Sequence, residues 1–369
     1  MLEVRSHHIG LDGAGNAVAV WAERHTGDFG VAGEIRSAAS GTWGAPAVLS
    51  TGNVQAGPDL AVTPGGDAFA IWIQGAAVLV AHADLTKGVW DPPVTLSGNG
   101  GRGAAVAVDA AGDAVAVWTL GDRPGVEAPA RPAGSSWAPA VMVSDVSPFN
   151  GVTAPDVALG DDGTAVAVWV GGSSLRASVR GSDGSWSRPL EVGAADSAEP
   201  RVSLDSHDNA IALWLHRSRL LAAARPAVAA AWQPAEQLSD ADASAPQVAT
   251  DAGGNGVALW NLRNGNLLPV VTSVFPAAAW TPSLANTSRP SIRGVPRVGR
   301  TVTCTRGGWA GTVPISYAYG WLRKGRLAAS GRSYRIRRGD AGARPACRVV
   351  ARNAARTLSS LSAPVRVKR

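Results

Sequence analysis

GNAVAVW at residues 15–21 decides the fold, because the phrase returns as GDAFAIW (66–72), GDAVAVW (112–118), GTAVAVW (163–169), DNAIALW (208–214) and GNGVALW (254–260). The intervals between the motif tryptophans are 51, 46, 51, 45 and 46 residues. A second tryptophan follows in each unit, at Trp43, Trp90, Trp137, Trp186, Trp232 and Trp280, in most cases close ahead of a proline. Self-similarity at a fixed period of this length marks an architecture of stacked repeats.

The start of each unit keeps the same register. Pro58, Pro155, Pro200 and Pro246 lie 14 residues before their motif tryptophan, and His7 and Ala104 take that place in units one and three. The fourth unit reads as four strands: PDVALG, TAVAVWV after the turn DDG, SLRASVRG and WSRPLEV. Alternation in AVAVW has the period of two of a strand, and both faces are apolar, as in a strand buried between neighbouring sheets. One such sheet cannot cover both of its faces, so each copy packs on two neighbours around a ring. Four strands in about 45 residues match a propeller blade, whereas a sandwich domain needs about 100 residues. The expected fold is all-β, with a six-bladed β-propeller over residues 1–286.

Composition agrees. The chain of 369 residues carries 44 Gly and 24 Pro, and no apolar run long enough to cross a bilayer. MLEVRSHHIG lacks the apolar core of a secretory signal. Two readings stay open: synthesis without a leader, or upstream chain holding a signal peptide or a seventh blade. Charge is divided unevenly. Residues 1–286 hold 15 Lys and Arg against 27 Asp and Glu, while residues 287–369 hold 19 against the single acid Asp340.

Beyond Asn286 the repeat stops. The stretches PSIRGVPRVGRTVTC, GGWAG, YAYGWLRKG and DAGARPACRVVARNAA resemble an Ig-like module of secreted bacterial proteins. The resemblance implies a small Ig-like β-sandwich over residues 287–369, disulfide-bonded between Cys304 and Cys347, with Trp321 packed on the bridge. These are the only cysteines in the chain, and a bridge implies an oxidising, extracytoplasmic setting. Pro345 departs from the pattern where many such domains place a tyrosine.

The repeat region resembles the sialidase superfamily, whose blades carry Ser-x-Asp-x-Gly-x-x-Trp turns. The nearest approach is SVRGSDGSW (178–186), with the tryptophan one residue early. Enzymes of that family use a tyrosine nucleophile, yet Tyr317, Tyr319 and Tyr334 all lie in the second module. The sialidase mechanism is therefore not expected.

Most acids sit in turns such as LDGAGN, DAAGD, GDDGT, DSHDN and DAGGN, where Asp and Asn bond the local backbone. No metal or cofactor site is expected; GNGGRG (98–103) precedes a strand rather than a helix. Arg24, Arg217 and Arg263 each follow a motif tryptophan by three residues, in units one, five and six, with Asp145, Asp196, Glu199, Asp240 and Asp242 near the same rim. They form a candidate site for an acidic glycan. Arg323, Lys324 and Arg326, with Arg332, Arg335, Arg337 and Arg338, form a candidate polyanion surface. The expected protein is a monomeric, non-catalytic bacterial surface protein, extracellular or wall-associated, binding an acidic glycan or cell-wall polymer and not nucleic acid. The alternative is a carbohydrate-active enzyme with atypical catalytic residues.

Overall fold

A computed structural model describes residues 3–25, 27–145, 151–229, 231–239, 242–263, 269–275, 284–311, 315–352 and 357–368. Trp280 and Asp240 lie outside these. Two compact units are present: Met1–Ala224 with Pro234–Ala277, and Arg225–Gln233 with Ala278–Arg369.

Among the described residues the first unit is a β-propeller built from six consecutive antiparallel sheets. Sheet one runs Val4–Leu11, Ala17–His25, Asp28–Arg36 and Ala47–Ser50, paired in sequence order. Sheets two to five repeat this plan from inner strands Val54–Val62, Gly100–Val108, Val152–Leu159 and Ser197–Leu204, and among the described residues sheet six pairs three strands, starting from Ala243–Thr250. In each sheet the second strand carries the motif tryptophan and pairs with the inner strand.

Turn chemistry explains the hairpins. Asp12 Oδ1 accepts from the backbone N–H groups of Ala14 and Asn16, and Asp109 Oδ1 from those of Ala111 and Asp113. Gly15, Gly66, Gly112, Gly163 and Gly254 take φ from 83° to 99° at the first motif position, and Asp208 fills the same left-handed place in sheet five at φ 60°.

The core lies between the sheets. Trp72 packs on Val18 and Val20 of sheet one, Trp118 on Ile71 and Ile73 of sheet two, and Trp169 on Val115 and Val117 of sheet three. These three motif tryptophans thus bury against the preceding sheet, at roughly 1.5–3 kcal/mol per large side chain removed from water. The second tryptophans stay at the periphery, Trp43 exposed and Trp90, Trp137 and Trp186 half-buried.

In the second unit, Ile292–Arg293, Thr301–Cys304 and Ser333–Arg335 form one sheet. Ser316–Arg323, Arg326–Ser330, Ala346–Arg352 and Thr357–Leu361 form another. The Cys304–Cys347 disulfide joins them, and buried Trp321 lies opposite Cys347 in the ladder. Tyr334 stacks on Trp321 at 5.5 Å and donates its hydroxyl to Asp340 Oδ2 at 2.7 Å. Asp340 also accepts from Arg337 N–H and Arg323 Nη1, at 2.8 and 3.2 Å. Burial works to raise the Asp340 pKa, but these donors outweigh it and hold the carboxyl below its usual range. Among the described residues no helix is long and apolar enough to cross a membrane.

Candidate functional site

Thirteen residues before each motif tryptophan stand His8, Asp59, Ala105, Asp156, Arg201 and Gln247. All six line one cavity of about 350 Å³, together with Ser6, Pro58, Pro155 and their neighbours. One equivalent position from each sheet therefore meets at a shared axis, and five of the six are polar.

A backbone device aims them. Each inner strand changes register just before this position: between Arg5 and His7, Ala56 and Asp59, Gly100 and Ala104, Thr153 and Asp156, Ala198 and Arg201, and Ser244 and Gln247. At the bulge Ser6, Gly57, Ala154, Glu199 and Ala245 adopt φ of 46°, 91°, 49°, 47° and 50°. Four of these are not glycine, and the left-handed conformation costs each about 1 kcal/mol. Bulges of this kind re-aim side chains beside functional sites.

The carboxyls are fixed from the next sheet. Asp59 Oδ2 accepts from Val106 N–H at 2.9 Å, and Asp156 Oδ2 from Val202 N–H at 2.8 Å. That leaves Oδ1 of each to other partners; Asp59 Oδ1 stands 3.6 Å from His8 Nδ1. Arg201 Nη1 donates to the carbonyl of Pro200 at 2.8 Å, which positions its guanidinium.

Burial raises the Asp59 carboxyl, with the Val106 and Leu60 N–H groups and Arg201 in partial opposition. Burial pushes Asp156 up to about 6, opposed by Arg201 and reinforced by the charge of Asp59. His8 is lowered by burial and by the positive charges of Arg201 and His7, with Asp156 opposing. Two carboxyls with raised pKa, one guanidinium and one imidazole with a lowered pKa share the site, a constellation found at functional sites. Among the described residues no group of three or more His, Cys, Asp or Glu is arranged to hold a metal ion.

The arginines singled out from sequence lie elsewhere. Arg24 pairs with Glu3 at 3.2 Å and sits over the Phe29 ring at 5.0 Å. Arg217 Nε donates to Asp196 Oδ2 at 2.7 Å, and Arg263 is exposed. None of the three lines the central cavity. In the second unit, Arg323, Lys324, Arg326 and Arg337 line a hollow of about 450 Å³ with Tyr334 and Asp340. Arg332 reaches the Cys304 carbonyl at 3.4 Å, and Arg335 and Arg338 are exposed outside that hollow. Sequence reasoning missed the polar ring. Its signal was a polar residue directly after the register proline, at Asp59, Asp156, Arg201 and Gln247.

No protein-family model matches the chain, and no curated protein does. Among solved structures, a protein of unknown function from Dyadobacter fermentans is similar, with TM-score 0.52 and 13% identity over 74% of this chain and 94% of that one. The Dos1 propeller gives TM-score 0.48 and 8% identity over 73% and 66%. A Hadza microbial sialidase gives 0.40 and 10% over 93% and 73%. At such identities the likeness concerns fold alone.

Proposed function

We propose that the chain is an extracellular recognition protein, not a catalyst, whose propeller binds a carbohydrate at the polar ring and whose basic unit associates with an anionic cell-wall polymer. The observation that carries this reading is the convergence of His8, Asp59, Asp156, Arg201 and Gln247 on one cavity. Sugar hydroxyls donate to carboxylates and accept from guanidinium and imidazole, so this set matches a polyol edge. A volume of about 350 Å³ falls within the range of small-molecule sites. The disulfide supports an oxidising compartment. The 19 basic residues against one acid over residues 287–369 support attraction to polyanions.

A glycan array read with three proteins tests it. The wild type should retain a set of glycans, and Asp59→Asn/Arg201→Ala should lose about tenfold in affinity, on the order of 1.4 kcal/mol. The triple alanine variant at Arg24, Arg217 and Arg263 should bind as the wild type does. Loss only in that triple variant would move the site to the rim. Association with anionic cell walls should weaken steeply as salt shortens the screening length; salt-insensitive association would remove the role given to the basic unit.

One observation favours a second reading, glycoside hydrolysis. Asp156, pushed up to about 6, holds its proton into mildly acidic solution beside a second carboxyl, as a general acid working there needs. Turnover of aryl glycosides that Asp156→Asn abolishes would establish it over the binding role.

A further inference from the structure

The six sheets do not seal against one another all the way round. At the position before the motif tryptophan, Val20, Ile71, Val117, Val168 and Leu213 are each 0% exposed, whereas Leu259 of sheet six is 39% exposed. Two residues earlier, Val257 is 41% exposed, while Val18, Phe69, Val115, Val166 and Ile211 are all at 2% or less. The facing side of sheet one is open as well. Ile9 is 65% exposed, against 5–7% for Val106, Val157 and Val202 in the same register. Trp21 is half-buried, while the other five motif tryptophans are at most 4% exposed. Inner strands of neighbouring sheets pack from sheet one through to sheet six, and those of sheets six and one do not pack in that way.

These two faces are not generic greasy patches. Each carries the residues that close the interfaces between sheets elsewhere, and the two are complementary halves: a tryptophan face on sheet one and a Val–Leu face on sheet six. A further sheet of the same kind would cover both.

A second observation indicates how that sheet is connected. The carbonyls of Asn53, Asn99, Gly151, Asp196 and Asp242 accept from the N–H groups of Gly75, Gly121, Gly172, Arg217 and Arg263. Each acceptor precedes the inner strand of its own sheet, on the path from the sheet before it. Glu3 makes the same bond in sheet one, accepting from Arg24 N–H at 3.1 Å. Glu3 therefore stands as those linking residues do.

We propose that the seam between sheets six and one holds a seventh four-stranded sheet of this repeat, carried by the same polypeptide and joined through Glu3. Its motif tryptophan covers Val257 and Leu259, and its own apolar pair receives Trp21.

Thiol accessibility tests this, because the two native cysteines are paired and an introduced cysteine is unique. Ile9→Cys and Leu259→Cys are placed separately in the 369-residue chain, and in a fusion carrying a copy of residues 151–195 directly ahead of Glu3. A copy of residues 54–98 serves if that fusion does not fold. The expected result is rapid maleimide labelling of both thiols in the 369-residue chain, and labelling slowed at least about tenfold in the fusion, since buried sites react only after opening. Three outcomes overturn the proposal. Protection of both thiols in a monomeric 369-residue chain means that the ring closes on itself. Protection that rises with concentration alongside a dimeric mass means that a second copy is the occupant. Unchanged labelling in a folded fusion means that the seam does not take this sheet.

Discussion

Asp156 Oδ2 receives the backbone N–H of Val202 at 2.8 Å, so a side chain of sheet four satisfies the inner strand of sheet five. Asp59 does the same for Val106 across the seam between sheets two and three. These carboxyls are at once ties between sheets and walls of the central cavity. A buried N–H without a partner costs about 1–3 kcal/mol, so the ties constrain how far the site can vary.

Replacing Asp156 separates the two roles. Asp156→Ala orphans the Val202 N–H and should lower stability by about 1–3 kcal/mol in urea titration. Asp156→Asn keeps an acceptor and removes the titration. Because the folded pKa is raised to about 6, the stability associated with this group is fully present below the usual carboxylate range and is lost as pH rises through about 6. The Asn variant should therefore compare more favourably with the wild type at pH about 7.5 than at about 4.5. An equal difference at both would show that Asp156 titrates normally.

Asp208 carries two burdens. It occupies the left-handed place that glycine fills in the other five sheets, and burial, with the charges of Asp162 and Asp205, pushes its carboxyl up to about 6. Asp208→Gly should stabilise the propeller by about 1 kcal/mol or more at pH 7, from backbone relief and loss of repulsion. The repulsive part of the gain disappears below the usual carboxylate range, because a raised folded pKa means the penalty exists only at higher pH. Thermal unfolding at pH 4 and 7 reads both parts; destabilisation at pH 7 would refute the assignment.

Asp340 is the second unit's keystone. Asp340→Ala removes the acceptor for Tyr334, Arg337 N–H and Arg323 together, and should cost about 3 kcal/mol or more. Its folded pKa is lowered, so its stabilising effect is present above the usual carboxylate range and is lost as pH falls through the depressed value. The gap between wild type and Asp340→Asn should be widest near neutrality and close in strong acid. Reducing the Cys304–Cys347 bond should cost a further ~3–4 kcal/mol, read as a lower melting temperature of the second unit in dithiothreitol.

Much of the fold was legible because a repeat states its own boundaries. The motif tryptophans, the turn aspartates and the glycines at the first motif position each do what their residue types dictate. The site was not legible for the opposite reason. Asp59, Asp156 and Arg201 sit at a position where the repeat varies, so a search for sameness passes over them, and the bulge that turns them inward has no fixed residue. The rim arginines follow the repeat register, yet Arg24 and Arg217 are engaged by Glu3 and Asp196. Asp208 looked like ordinary turn chemistry because Asp162, which crowds it, comes from the neighbouring sheet.

The most direct measurement is a crystal structure of the protein soaked with the tightest-binding glycan from the array. The account predicts a sugar ring in the central cavity, with hydroxyls within hydrogen-bond distance of Asp59, Asp156 and Arg201. A glycan seated on the rim around Arg24, Arg217 and Arg263, with the cavity holding water alone, would contradict it.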